Sequence, residues 1–264
     1  MHGADVVRSG DHQAGEQSRV DYDKVAGRYQ EGRRISQTAL ERWRHAVAPF
    51  VPQRRPLTVL DLGAGTGIFT RAWPRWCDCR VVAVEPSQGM RSAASLAGIP
   101  PQAAMIAAVG EALGLRAGSV DVAWLSTVFH HLRDRRAAVA ELRRVVAPGG
   151  VLLVRGLFAD RGDVGWLQFF PGAEAARATF PSAVAAAALF AEHEFEPTSA
   201  LEVDGRVYET TTDAARWARR MRHADTLLAA LSDEDFETGV AALEASPFSE
   251  PLANRLALLA FTRR

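Results

Sequence analysis

The sequence predicts an α/β protein with a Rossmann-like, seven-stranded, mostly parallel sheet, helices on both faces, N-terminal helices and a lid insertion after the fifth strand. Three observations support this fold class. Short apolar runs alternate with amphipathic helical patterns over most of the chain. The first run leads directly into a glycine-rich turn, and an acidic residue ends the second run. This combination is typical of folds that bind a ligand at the carboxyl edge of a parallel sheet.

Seven short apolar runs are expected to form the strands, because each is bounded by turn-forming or polar residues. They are residues 57–62, 81–85, 103–108, 120–125, 151–155, 201–203 and 256–261.

Helical periodicity marks the segments between and around these strands. Residues 20–51 read as helical until Pro49, Pro52 and Pro56 interrupt the pattern, and residues 134–146 form an amphipathic crossover helix. The glycines of Pro148-Gly149-Gly150 predict a tight turn into the fifth strand. Residues 157–197 are expected to form the lid and one helix. Two further helices are expected over residues 212–231 and 232–245, with Ser232 as the N-cap of the second.

The composition indicates one domain and restricts its partners. We expect a disordered tail over residues 1–19 and a single domain over 20–264, divided into N-terminal helices (20–56), a ligand-binding core (57–156) and a lid with a C-terminal substrate-binding half (157–264). Lys plus Arg and Asp plus Glu both number 31, so no global charge favours nucleic acid. We therefore expect a small-molecule substrate, and the sequence leaves the oligomeric state open.

Membrane insertion, secretion and metal binding are not expected from the sequence. The longest apolar stretch, residues 183–190, is far shorter than the roughly 20 residues that span a bilayer. The polar N-terminus lacks the apolar core of a signal peptide, which predicts a cytoplasmic protein. Cys77 and Cys79 lack the second ligand pair of a structural zinc site, so we expect reduced thiols.

The segment from Val59 to Gly67 reads Val-Leu-Asp-Leu-Gly-Ala-Gly-Thr-Gly. Glycines at such a turn allow a ligand to approach the backbone closely, where a Cβ atom would collide. Glu85 follows Gly65 by 20 residues, the place where a doubly wound fold presents a carboxylate to ribose hydroxyls. A solvated strand end is the simpler alternative for Glu85. Nicotinamide-dependent oxidoreductases use a similar turn, but with a different glycine spacing.

Five sequence blocks, taken together, resemble class I methyltransferases of the type 11 group, which includes relatives of the ubiquinone and menaquinone methyltransferases. The match covers residues 20–156 well and the rest in outline. The blocks are the glycine turn, Val82-Ala83-Val84-Glu85-Pro86-Ser87, Gly110-Glu111-Ala112-Leu113, Val120-Asp121-Val122 through Phe129-His130-His131-Leu132, and Leu142-Arg143-Arg144-Val145 leading to Pro148-Gly149-Gly150.

The resemblance implies S-adenosylmethionine as cofactor, S-adenosylhomocysteine as its product, and no metal. The family often has an aspartate before the Glu-Ala-Leu element, whereas Val109 and Gly110 stand there in this chain. Adenine would then be contacted by backbone, or Glu111 would substitute. Packing is an equal alternative for the N-terminal tyrosines and arginine. The implied cofactor-binding residues are Asp61, Gly63, Ala64, Gly65, Gly67, Glu85, Pro86, Met90, Val109, Gly110, Glu111, Ser126, Tyr22, Tyr29 and Arg34.

Two histidines are the candidate catalytic residues. His130 and His131 follow the fourth strand, and an imidazole titrates near neutral pH, as a general base requires. The alternative is that one packs against the crossover helix while the other shapes the pocket. The predicted activity is methyl transfer to oxygen, nitrogen or carbon of a small metabolite, with a role in secondary metabolism as a hypothesis. The alternative function is cofactor binding without methylation, in cyclisation or in activation of a partner enzyme.

Aromatic residues of the C-terminal half are expected to cover the substrate. The candidates for substrate contact are Trp166, Phe169, Phe170 and Trp217, with Phe180 and Phe236 in the same regions. Core packing is the alternative for each of them. A basic run from Arg216 to His223 reads as a solvated helix face or as a site for a substrate carboxylate or phosphate.

Overall fold

A computed structural model describes residues 22, 23, 32, 35–246 and 250–264. The predicted tail, residues 1–19, and two predicted cofactor contacts, Tyr29 and Arg34, lie outside the described residues.

An eight-stranded sheet forms the centre of the molecule. Its strands are β1 (Leu57–Leu62), β2 (Cys79–Val84), β3 (Ala103–Ile106), β4 (Val120–Ser126), β5 (Val146–Gly156), β6 (Asp163–Val164), β7 (Phe195–Tyr208) and β8 (Leu252–Arg263).

Five parallel strands run in the order β3, β2, β1, β4, β5. β8 is antiparallel to β5 on one side and to β7 on the other, and the two-residue β6 pairs with Asn254 and Arg255 of β8. The chain order reverses between β1 and β4, so the loops after these two strands diverge at the carboxyl edge. This point is where doubly wound folds bind ligands.

Nine helices, counted over the described residues, surround the sheet. They are α1 (Gln37–Val47), α2 (Ile68–Trp76), α3 (Gln88–Leu96), α4 (Arg135–Val145), α5 (Ala173–Ala178), α6 (Ala183–Glu192), α7 (Thr211–Met221), α8 (Thr226–Ala229) and α9 (Asp233–Ala245).

Side-chain caps explain where several helices begin. Ser36 accepts a hydrogen bond from the backbone N–H of Ala39 at α1, and Asp134 accepts one from Ala137 at α4. Ser232 caps α9 in the same way, as predicted. Such caps satisfy N–H groups that the first helical turn leaves without partners.

Apolar side chains bury both faces of the sheet. The face that includes Leu60 and Leu152 packs against α4 and α6, while the face that includes Val59 and Leu153 packs against α1 and α2. A third apolar cluster joins α7, α8 and α9 to the segment between β6 and α5. The sheet therefore has helices on both faces, and a separate small core supports the lid.

The sheet confirms the predicted fold class but differs in the lengths of its strands. The predicted strands at 201–203 and 256–261 are the middles of the much longer β7 and β8, and the sequence analysis missed β6. The predicted turn at Pro148-Gly149-Gly150 lies inside β5. Val120 pairs with Val146 and Val122 pairs with Val151, so residues 147–150 form an irregularity that Gly149 permits with a φ of +72°.

The C-terminal half has more breaks than the sequence suggested. The helix predicted over residues 212–231 divides into α7 and α8, because Asp225 caps α8 through the N–H groups of Leu227 and Leu228. The lid contains α5 as well as the expected single helix, α6. In the described residues, no helix is long and apolar enough to cross a membrane.

Candidate active site

The glycine-rich turn follows β1 and adopts a backbone that few other residues tolerate. Gly63 has a φ of +69°, and a Cβ atom there would lie 2.4 Å from Cγ2 of Val128. Gly65 has a φ of +55°, and a Cβ atom there would meet nothing within 4 Å. The turn thus packs tightly against the segment after β4 at Gly63 and faces open space at Gly65.

Glu85 follows β2 and joins two backbone segments at the sheet edge. Its Oε2 accepts a hydrogen bond of 2.9 Å from the N–H of Gly65, and its Oε1 accepts one of 2.9 Å from Ser87. Burial raises the pKa of this carboxyl group, and the two N–H donors oppose that effect. Since each carboxylate oxygen has more than one acceptor site, Glu85 can still accept ligand hydroxyls.

Asp61, the residue before Leu62 in β1, is a fully buried acid in the wall of the site. Its exposed fraction is 1%, and the hydroxyl of Thr70 donates a 2.6 Å hydrogen bond to its Oδ2. Burial raises its pKa from 3.8 to about 7, and the nearby charge of Glu85 adds to the rise. Asp61 therefore titrates near neutral pH.

The predicted adenine contacts are placed around the loop after β3. Pro86 is exposed, Met90 is buried with 2% exposure, and Val109 is 45% exposed. Gly110 is buried, because a Cβ atom there would lie 2.7 Å from Leu132. This combination leaves Val109 as an exposed apolar surface beside a tightly packed glycine.

Glu111 holds the turn after β4 in place. Its Oε1 accepts hydrogen bonds from the backbone N–H groups of Arg133 (3.0 Å) and Asp134 (3.1 Å). The geometry thus gives Glu111 a structural partner, which favours backbone over Glu111 for the adenine contact.

A cavity of about 270 Å³ extends from the glycine turn toward the lid. The glycine turn and Asp61 form one end, and the segment after β4 contributes Ser126, Thr127 and His130. The other end is walled mainly by apolar side chains. These apolar residues include Leu157, Val164, Trp166, Phe180, Trp217, Leu227 and Leu256.

The two histidines have different surroundings. His130 lines the cavity, and its ring stacks on Phe180 with centroids 4.5 Å apart and planes 15° apart. Nε2 of His131 lies 2.8 Å from the hydroxyl of Tyr22 and 3.4 Å from Oγ1 of Thr226. The structure thus brings both histidines to the site, but it engages Nε2 of His131 in contacts with other side chains.

The described N-terminal residues attach to the site at separate points. Besides the contact between Tyr22 and His131, Asp23 accepts hydrogen bonds from the hydroxyl of Ser87 (2.7 Å) and from Gly89 N–H (2.9 Å). These contacts hold the predicted Tyr22 at the carboxyl edge of the sheet.

Among the predicted substrate contacts, Trp166 and Trp217 line the cavity. The indole N–H of Trp217 donates a 3.0 Å hydrogen bond to the carbonyl of Gly32. In the described residues, Phe169 and Phe170 lie outside the cavity lining and pack in the lid core, where Phe170 contacts Gly239 and Phe236.

Sequence reasoning missed Arg155, the penultimate residue of β5. Its guanidinium is 8% exposed, lines the cavity, donates to Oγ of Ser126 at 2.9 Å and lies 4.7 Å from the Trp43 ring. An arginine at the end of an otherwise apolar strand was the available signal. Arg206 also lines the cavity, where it donates a 2.8 Å hydrogen bond to the carbonyl of Gly32.

The basic run of α7 takes part in surface ion pairs. Arg216 pairs with Asp213, Arg219 pairs with Glu237, and Arg222 donates to carbonyl groups of the α8 segment. These contacts favour the interpretation of the run as a helix face over that of an anion site. In the part of the chain that the structure describes, no group of three or more metal-binding side chains occurs, and both cysteines are free.

Comparisons with known proteins agree with this arrangement. Residues 60–154 match the model of the family described as "Methyltransferase domain". The ubiquinone/menaquinone biosynthesis C-methyltransferase of Syntrophotalea carbinolica is 30% identical over 151 residues, which cover 54% of this chain and 62% of that protein. The malonyl-[acyl-carrier protein] O-methyltransferase of Serratia marcescens is 39% identical over 116 residues, which cover 42% of this chain and 43% of that protein. The chain spans about half the length of the curated relatives it matches.

Solved structures share the fold over most of the chain. A putative methyltransferase from an antibiotic biosynthesis pathway of Anabaena variabilis has a TM-score of 0.66 at 20% identity and covers 86% of this chain and 100% of its own. The [4+2]-cyclase SpnF has a TM-score of 0.61 at 17% identity and covers 92% and 94%.

The sheet, the glycine turn and its paired acid define a Rossmann-like class I methyltransferase fold. Within this class, the matched segment, residues 60–154, belongs to the type 11 group, which confirms the resemblance seen in the sequence. The predicted cofactor, S-adenosylmethionine, agrees with this family.

Proposed function

We propose that this chain transfers a methyl group from S-adenosylmethionine to oxygen, nitrogen or carbon of a small molecule. The observation that carries the proposal is the position of Glu85. Its carboxylate is fixed between the N–H groups of Gly65 and Ser87, next to an enclosed cavity that His130 lines.

The residues at the sheet edge fit the cofactor. The open space beside Gly65 accommodates a ligand against the backbone, and the fixed carboxylate of Glu85 is suited to a pair of ribose hydroxyls. Gly63, Ala64 and Gly65 would border the methionine part, and the exposed Val109 would lie on the adenine side. When bound, the cofactor supplies a methyl group on a positively charged sulfur.

The remaining residues align the acceptor and manage its proton. The apolar and aromatic walls from Leu157, Trp166 and Trp217 exclude water and favour a small acceptor with an apolar body. His130 is placed to accept a proton from an acceptor in the cavity. His131 would hold the Tyr22 segment over the site.

Calorimetric titration with S-adenosylhomocysteine tests cofactor binding. We expect Glu85→Gln to weaken binding by about 10-fold to 100-fold, because hydrogen bonds to a charged group contribute about 1.5–3 kcal/mol. Glu111→Gln is the matched control, since Glu111 is also an acid that accepts two backbone N–H groups. Its affinity should stay within about threefold of the parent. Absence of binding by the parent, or equal affinity of parent and Glu85→Gln, contradicts the proposal.

A screen of hydroxyl, amine and acidic-carbon compounds for methylated product tests the transfer itself. With an acceptor in hand, His130→Gln should lower turnover by about 100-fold or more if it acts as the base. Turnover within about threefold of the parent for both His130→Gln and His131→Gln would exclude either histidine as the base.

Two outcomes separate methyl transfer from the alternative function. Cofactor binding without methylated product from any acceptor class favours a non-methylating role, such as cyclisation or activation of a partner enzyme. A place in secondary metabolism stays a hypothesis, since the neighbours from such pathways share the fold alone. The cytoplasmic location stays a prediction from the sequence.

A further inference from the structure

Phe180 stands out among the lid residues because it touches the candidate base directly. Its ring lies face to face with the imidazole of His130, with centroids 4.5 Å apart and planes 15° apart. Both residues line the cavity. On its other side, His130 approaches the ring of His131, with centroids 3.9 Å apart. The imidazole of His130 is therefore held by flat rings from two different segments.

The lid loop that carries Phe180 is fastened to the segment after β5. Asp160 accepts a 2.6 Å hydrogen bond from the N–H of Ala183, and Arg177 donates to the carbonyl groups of Phe158 (3.2 Å) and Gly162 (2.7 Å). These contacts flank Phe180 in the sequence. The stacked ring is therefore part of a fixed surface, and its position does not depend on the acceptor.

We propose that Phe180 is a positioning residue that fixes the plane of the His130 imidazole for proton transfer. The proposal rests on the proposed function, because it assigns Phe180 a role toward the candidate base. A parallel ring restricts rotation of the imidazole about its side-chain bonds. The face of an aromatic ring also attracts a cation, so it stabilises the imidazolium that forms when His130 accepts a proton.

Substitutions that separate ring shape from volume test the proposal. Phe180→Leu removes the flat face and keeps much of the apolar volume, whereas Phe180→Tyr keeps the face. Phe50→Leu is the matched control, because Phe50 is a partly buried phenylalanine on the α1 side of the sheet. Unfolding curves and S-adenosylhomocysteine calorimetry identify any variant that loses its fold or its cofactor binding.

The first readout needs no acceptor. Diethyl pyrocarbonate modifies neutral, accessible imidazoles, and peptide mass spectrometry reports the rate at His130. Loss of the stacked ring uncovers the imidazole and destabilises its cationic form, so both effects raise this rate. We expect an increase of about fivefold or more in Phe180→Leu, with Phe180→Tyr and Phe50→Leu within about twofold of the parent. A Phe180→Leu rate within about twofold of the parent would overturn the proposal.

The second readout uses the acceptor found by the methylation screen. Phe180→Leu should lower kcat by about 10-fold with KM changed less than about threefold, and Phe180→Tyr should retain kcat, because orientation of the base affects the transition state more than acceptor binding. A raised KM with unchanged kcat would make Phe180 a wall of the acceptor pocket and overturn the positioning role. Failure of the parent to bind S-adenosylhomocysteine would instead contradict the proposed function, which separates the two failures.

Discussion

Replacement of Asp61 by asparagine should stabilise the protein increasingly as the pH rises. Asp61 is 1% exposed, and burial raises its pKa from 3.8 to about 7. Because the folded state binds the proton more tightly, the stability from Asp61 is fully present below pH 3.8 and is lost as the pH rises through about 7. The interval corresponds to about 4 kcal/mol, at about 1.4 kcal/mol for each pH unit.

The asparagine variant lacks this titration and keeps the local hydrogen bonds. Thr70 donates to Asp61 through its hydroxyl and its backbone N–H. An asparagine oxygen can accept from the N–H, while the Thr70 hydroxyl can rotate to accept from the asparagine amide. The loss of free energy of unfolding that accompanies ionisation of Asp61 should therefore be absent from the variant.

Urea unfolding at pH 5, 6, 7 and 8 measures the effect. Between pH 5 and 8 the free energy of unfolding of Asp61→Asn should gain about 2–3 kcal/mol over the parent, with most of the gain below pH 7. The value at pH 5 is the internal control, because any change unrelated to titration is already present there. A difference that stays constant within about 0.5 kcal/mol over this range would refute the reasoning.

Three further substitutions test local features. Gly63→Ala should destabilise the fold by about 2–3 kcal/mol, since it combines a left-handed backbone with a Cβ 2.4 Å from Val128, and Val128→Ala in the same chain should restore part of that loss in urea unfolding. Ser232→Ala should cost about 1 kcal/mol of unfolding free energy by removal of the α9 cap, and an unchanged midpoint would contradict the cap. Tyr22→Phe should weaken S-adenosylhomocysteine binding about fivefold in calorimetry, because the hydroxyl contact to His131 contributes about 1 kcal/mol, while unchanged affinity would show that Tyr22 does not close the site.

The central sheet was predictable because its signals are local. Each strand of the parallel core is a short apolar run buried on both faces, as at Val59 and Leu60, which pack on opposite sides. The α9 cap at Ser232 was predictable for the same reason, since a cap depends on residues within one helical turn.

The C-terminal strands were less predictable because their pairing is non-local. Much of β7 is exposed, and its 14 residues carry polar side chains and a proline, so only residues 201–203 suggested a strand. The extension of the strand depends on pairing with β8, which begins more than 40 residues later. Tertiary contacts of this kind override weak local propensity.

By itself, the sequence determined the glycine turn, the acid at Glu85 and the positions of His130 and His131 after β4, because these features are set by strand ends and short motifs. Only the tertiary structure decided which histidine lines the cavity, that Phe180 stacks on it, that Phe170 packs in the lid core and that Arg155 joins the wall. Those outcomes depend on how lid, sheet and N-terminal residues meet in space, and no spacing along the chain encodes that meeting.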